Sequence, residues 1–231
     1  MRIEVRDIGF AYKYSDRQVL HDINLCFDSN EKTVLLGANG CGKTTLLKVL
    51  CGLFAPNRGS ILLDGKEVKS KPSFDFLIGL VPENPEEMFF ESTVEREIAF
   101  ILKRKKEKDI DKKVESIMHS FDLYKIKDSS PFEISSGEKR KLAIASVMVA
   151  EQQFVLLDEP ISGLDWSGVN VVEDWIINYK FGIIATTHRT DFARKFDRII
   201  LMNNGHILAD NLNLDNNREL LEKSDVLLLW R

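Results

Sequence analysis

The stretch that most limits how this chain can fold is GANGCGKTT, Gly37 to Thr45, which reads G-x-x-x-x-G-K-[ST]. It follows the apolar run Thr33 to Leu36 and opens into Leu46, Leu47, Val49 and Leu50, which are apolar at helical spacing. A strand, a glycine loop and a helix in that order form a phosphate cradle. Gly37, Gly40 and Gly42 allow a tight turn, so that backbone N–H groups along the loop, Asn39 and Cys41 included, face an anion. The helix dipole adds positive potential at the same place. Lys43 would reach the β- and γ-phosphates, Thr44 would ligate Mg²⁺ through its hydroxyl, and Thr45 completes the phosphate-binding run. The bland alternative is a glycine-rich turn with an incidental lysine, and the flanking strand and helix count against it.

At 231 residues the chain suits one large domain with room for a small subdomain. A formal charge of -4 provides no broad basic field, so no nucleic-acid partner is expected. Acids interrupt the basic run Lys103 to Lys113, which reads as a solvated helical face. No apolar run reaches the roughly 18 residues that span a bilayer. Any membrane work would then be done with a partner. The N-terminal MRIEVRDIGF alternates like a strand, unlike a signal peptide, which points to the cytoplasm. Cys26, Cys41 and Cys51 lack metal-site spacing and read as reduced thiols.

Along the chain, Ile3 to Val5, Ile23 to Phe27 and Thr33 to Leu36 are candidate strands around a turn-rich gap. Ile61 to Leu63 and Lys66 to Val68 flank an Asp64-Gly65 turn as a hairpin, and Ile78 to Val81 is a short buried strand. From Ser92 to Ala150 the pattern is helical. Ser92 and Glu95 suggest a capping box, Ile110 to Phe121 carries one apolar face, and a third helix starts near Gly137. Strands return at Phe154 to Leu157 and Gly182 to Thr186, with a helix over Val169 to Tyr179 between them. Arg198 to Met202 and His206 to Leu208 form a closing hairpin across Asn204-Gly205, followed by a helix at Asn217 to Lys223. The apolar run Val226 to Trp230 is either packed on the core or an interaction tail, and packing is the reading preferred.

An apolar strand ending in an acid is what a phosphate loop needs as its second Mg²⁺ contact. FVLLDEP supplies Asp158 for that role, and Glu159 would polarise or orient the attacking water. His188 follows a strand end, where a parallel sheet presents its ligand edge; a lone histidine there is usually structural, but a neutral imidazole could hydrogen-bond a γ-phosphate oxygen and hold the water and Glu159 in line. Asp165 in SGLD is either a helix cap or a contact across a dimer. Tyr12 and Tyr14 each supply a ring that would stack on a purine or cover a sheet edge.

In order, these motifs resemble the nucleotide-binding subunit of an ABC transporter over nearly the full length. The phosphate loop, ISSGE at 134 to 138, FVLLDEP, SGLD at 162 to 165 and His188 carry the resemblance. It implies an α/β fold: a P-loop NTPase (RecA-like) core with an antiparallel β part over 1–83 and 151–231, and an inserted helical subdomain over 84–150. It implies ATP and Mg²⁺ as cofactors and two subunits that close head to tail over ATP. Ser135, Ser136, Gly137 and Glu138 would form the signature that acts on another subunit's nucleotide. Lys43, Glu159 and His188 would be catalytic, Asp165 a dimer contact, and Tyr12, ahead of Tyr14, the base-stacking aromatic. Integral membrane subunits would hold the chain at the cytoplasmic face of the cell membrane.

LVPENPEEMFFESTVEREIAF is similar to the energy-coupling factor branch, whose ATPases power uptake of vitamins and of cobalt or nickel. Its acids Glu83, Glu86 and Glu87 would meet arginines of a membrane subunit or stay solvated. Three positions depart from the family pattern. Glu83 stands where a Mg²⁺- or water-contacting glutamine is usual, and Ser136 and Glu138 replace a glycine and a glutamine of the signature. Rival readings are a soluble ABC ATPase uncoupled from transport and a weakened ATP-binding partner in an asymmetric pair.

Overall fold

The computed structural model describes residues 1–15, 17–68, 77–224 and 226. It begins with two long antiparallel strands, β1 (Arg2–Ala11) and β2 (Gln18–Asp28), each extending well beyond its apolar centre. Sequence pattern underestimates them because Asp7 and Asp22, both at positive φ, make local irregularities that break the alternation without ending the pairing. Strands β4 (Arg58–Leu63) and β5 (Lys66–Val68) complete a four-stranded sheet in the order β2-β1-β4-β5.

The second sheet has six strands. They are β3 (Lys32–Leu36), β6 (Ile78–Val81), β7 (Phe154–Leu157), β8 (Gly182–Thr187), β9 (Arg198–Asn203) and β10 (His206–Ala209). Their order is β10-β9-β3-β8-β7-β6, parallel throughout except for β10. Parallel strands are covered on both faces, which explains the unbroken apolar runs FVLL and GIIA. Alternation then divides the core in two. Leu35, Leu156, Ile184 and Ile200 face α1 (Lys43–Leu50) and the antiparallel sheet, whereas Val34, Val155, Ile183 and Leu201 face the other helices. Helix α1 lies between two sheets, so Leu46, Leu47, Val49 and Leu50 are all buried.

The helical stretch comprises α2 (Val94–Lys105), α3 (Ile110–Ser120) and α4 (Ser136–Met148), with α2 packed on both others. Its first cap differs from the expected Ser92. Thr93 is the N-cap and accepts from Arg96 N, while Ser92 Oγ takes a guanidinium N–H of Arg96. Helices α5 (Trp166–Asn178), α6 (Thr190–Ala193) and α7 (Arg218–Lys223) complete the far side of the parallel sheet. Val226 is buried against this core; the rest of the 226–230 run lies outside the described residues. Cys26, Cys41 and Cys51 are free thiols.

Candidate functional site

Because β3, β8, β7 and β6 are parallel neighbours, their C-terminal ends lie side by side. Each delivers one part of the site: β3 the phosphate loop, β8 His188, β7 Asp158 and Glu159, and β6 Glu83. This is the edge at which open α/β sheets bind ligands. The loop closes into α1 through Gly40 (φ 79°) and Gly42 (φ 110°), left-handed conformations that favour glycine. A cleft of about 910 Å³ opens there, lined by Tyr12, Asn39, Gly40, Gly42, Lys43, Thr44, Thr45, Glu83, Asp158 and Glu159 among others.

Lys43 and Glu159 are both buried, and their charged atoms lie 3.8 Å apart. Lys43 Nζ also donates to the carbonyls of Gly37 (2.7 Å) and Ala38 (3.1 Å), so its ammonium is held at the loop by three oxygens. His188 Nδ1 lies 3.1 Å from Glu159 Oε1. Burial raises the Glu159 carboxyl above its ordinary value, while His188 and Lys43 pull it the other way. Glu159 itself has φ 46°, an uncommon conformation for a residue with a side chain. Burial likewise raises the Cys41 thiol, which packs under the loop.

Tyr12 is 41% exposed, with its ring edge-on to Phe10 and Phe54 and its hydroxyl hydrogen-bonded to that of Thr45 at 2.8 Å. Tyr14 is 95% exposed and does not line the cleft. Of the two tyrosines, only Tyr12 is brought to the site. Gly37, Cys41 and His188 are not among the residues that line the cleft; the first two belong to the loop and the third meets Glu159. Ser135, Ser136, Gly137, Glu138 and Asp165 are outside the cleft too. Ser135 and Glu138 form a reciprocal capping box at the start of α4. Asp165 caps α5 by accepting from Gly168 N at 2.8 Å. Leu164 packs 3.7 Å from where a Cβ on Gly137 would lie, which joins the two segments into one surface.

Three supporting residues escape sequence reasoning. Thr186 Oγ1 donates to Asp158 Oδ1 (2.6 Å) and accepts from Glu159 N (2.9 Å), locking the two acids together. Its signal was two threonines ending an otherwise apolar strand. Arg140, 5% exposed on α4, donates to the carbonyls of Pro82 (3.0 Å) and Glu83. Gly205 N donates to Cys41 O (2.8 Å), and its own carbonyl accepts from His21 N (2.9 Å). A side chain at Gly205 would meet Val19 O at 2.2 Å, so the β9–β10 turn can brace the phosphate loop only as glycine.

A glycine loop on a parallel-sheet edge, with a buried lysine beside a strand-end acid, defines a P-loop nucleotide hydrolase. The ABC transporter family profile matches residues 20–162. A Pyrococcus furiosus protein, provisionally named an ABC transporter ATP-binding protein, is 34% identical across 99% of this chain and 92% of its own length. The energy-coupling factor transporter ATP-binding protein EcfA2 of Clostridium tetani is 34% identical across 91% of this chain and 78% of its own length. Among solved structures, cbiO1 of Clostridium perfringens, part of the ABC transporter complex cbiONQ, superimposes with TM-score 0.79. It is 28% identical and covers 95% of this chain and 92% of its own. This chain belongs to the ABC transporter family and is an ATP-binding, ATP-hydrolysing subunit of it. Among the described residues no helix is long and apolar enough to cross a membrane.

Proposed function

We propose that the chain binds MgATP in the cleft, closes head to tail on a second ATPase, and powers energy-coupling-factor uptake through integral membrane subunits. The observation that carries the hydrolytic part is the buried Glu159 carboxylate held between Lys43 and His188. Lys43 would exchange its loop carbonyls for β- and γ-phosphate oxygens, and the loop N–H groups would take the rest of the charge. Glu159 would accept the proton of the attacking water, with His188 fixing its carboxylate and the γ-phosphate. Tyr12 would stack on the adenine, and Ser135 and Gly137 would serve the nucleotide held by the second subunit.

Thr44, Asp158 and Glu83 offer hard oxygen donors on one wall of the cleft, and Mg²⁺ suits them because it keeps waters and phosphates among its ligands. Once bound it would neutralise phosphate charge in the transition state. Asp158 is held for this by Thr186, and Glu83 by the Arg140 bonds to its loop.

The relatives named for energy-coupling factor and cbiONQ transporters support an uptake role, with a vitamin or a cobalt or nickel ion as the cargo class. Such a role implies residence at the cytoplasmic face of the cell membrane. Affinity purification of the tagged chain from solubilised membranes tests it. Integral membrane proteins and a second ATPase are the expected companions; ribosomes or DNA in their place would sink the transport reading. The recovered complex should hydrolyse ATP, and Glu159→Gln should abolish turnover while leaving ATP bound.

A further inference from the structure

Tyr12 stands just past the end of β1, where the chain is fixed on both sides. Ala11 N donates to Asn57 Oδ1 at 2.6 Å, and the Tyr12 carbonyl accepts from Ser15 N at 3.1 Å. Its ring is set perpendicular to those of Phe10 (centroids 5.1 Å) and Phe54 (5.6 Å), which stack on each other. Phe54 is in turn tied back to α1, since its N donates to Lys48 O at 3.0 Å. A ring packed in this way has little choice of where its hydroxyl points. It points at Thr45 Oγ1, 2.8 Å away. Thr45 is 5% exposed and lies in the first turn of α1, inside the phosphate-binding run. Both residues line the cleft.

The two hydroxyls hold two protons, and the bond between them uses one. A phosphate oxygen beside Thr45 can only accept, so with that anion in the cleft the Thr45 proton turns to the phosphate and the Tyr12 proton completes the pair. The result is a chain from the Tyr12 O–H to the Thr45 O–H to the phosphate, in which each bond polarises the next. We propose that the Tyr12 hydroxyl is a positioning group for the phosphate loop: it donates to Thr45 Oγ1 and so holds the Thr45 proton on a phosphate oxygen. This role rests on the MgATP reading of the cleft, and unlike stacking it needs no base. Phenylalanine at position 12 would keep the ring and lose the role. Valine at position 45 would keep the shape of the threonine and lose the hydroxyl through which Tyr12 acts.

The test measures Kd by isothermal titration calorimetry, in the presence of Mg²⁺, for ATP and for tripolyphosphate, which carries the phosphate chain and no base. Wild type, Tyr12→Phe, Thr45→Val and the double variant are compared as the whole 231-residue chain. Thr45→Ala replaces Thr45→Val if thermal melting shows that the valine protein is unfolded. Tyr12→Phe should weaken both ligands alike, by about fivefold, the equivalent of ~1 kcal/mol. In the Thr45→Val background the same substitution should change neither. Stacking alone predicts no loss of tripolyphosphate, which has no base to stack. Unchanged Kd values in Tyr12→Phe, a loss for ATP alone where wild type binds both ligands, or a loss of equal size with and without the Thr45 hydroxyl each overturn the proposal. If tripolyphosphate does not bind wild type, the ATP cycle over the same four proteins decides in the same way. If wild type binds neither ligand, the nucleotide reading of the cleft fails, and the role of the hydroxyl with it.

Discussion

At the scale of single residues, the site depends on side chains that hold other side chains. Thr186 is buried completely and bridges Asp158 to the Glu159 backbone, so its hydroxyl fixes both acids at once. Thr186→Val leaves a carboxylate oxygen and an amide without a partner, which should lower unfolding free energy by about 1–3 kcal/mol. It should also reduce kcat at least tenfold, with Thr186→Ser restoring most of the rate. Urea melts and steady-state ATPase assays check the two parts separately. His188 is hydrogen-bonded to Glu159, so His188→Ala should lower kcat by roughly 10²–10⁴-fold and change ATP affinity far less. Loss of binding with retained kcat would contradict that assignment. Lys43, Thr44, Asp158, Glu159 and His188 were legible from spacing because each sits at a loop or strand end whose chemistry is local. Thr186 was not, since its two partners lie 27 and 28 residues away and meet it only through the β7–β8 register.

At the scale of elements, α4 links the signature to the Glu83 loop. Lys139 pairs with Glu86, and the buried Arg140 donates to the Pro82 and Glu83 carbonyls, so helix and loop are tied together. Arg140→Met should lower unfolding free energy by about 1–3 kcal/mol for each carbonyl left dry, and should slow hydrolysis more than it weakens ATP binding. A kcat equal to wild type would show that the loop keeps its place without the guanidinium. Helix α2 holds the following segment through Glu97, whose Oε2 accepts from Phe90 N (3.0 Å) and Glu91 N (2.9 Å). Burial raises the Glu97 carboxyl above its ordinary value, against the pull of those amides. The folded chain therefore keeps this proton to higher pH than the unfolded chain does. The stability that comes with it is complete below the ordinary carboxylate range and is lost as pH rises through the raised value. Unfolding free energy of wild type minus that of Glu97→Gln should accordingly fall as pH rises out of the ordinary carboxylate range. A difference that rises over the same range would reverse the sign of the argument.

At the scale of the whole molecule, the cleft lies where the end of the antiparallel strand β1 meets the phosphate loop, so a bound nucleotide would touch both Tyr12 and Lys43. MgATP at about 100 times its Kd should stabilise the fold by ~2.7 kcal/mol. Thermal melts with and without MgATP measure this, and Lys43→Ala should remove most of the shift. The sequence by itself placed the motifs: a phosphate cradle, a strand-end acid pair, a histidine after a strand, and their order along the chain. Spacing suffices for these because each motif is built within a few consecutive residues. It also offered a helix cap as one role for Asp165 and a helix start near Gly137, because such signals are local. Only the tertiary structure decided that β6, β7, β8 and β3 lie side by side, and so which residues meet. It brought Tyr12 and not Tyr14 to the cleft, and recruited Thr186, Arg140 and Gly205 as supports. The reason is physical: strand order, register and side-chain direction are settled by burial of both sheet faces at once, and no local run of residues contains that sum.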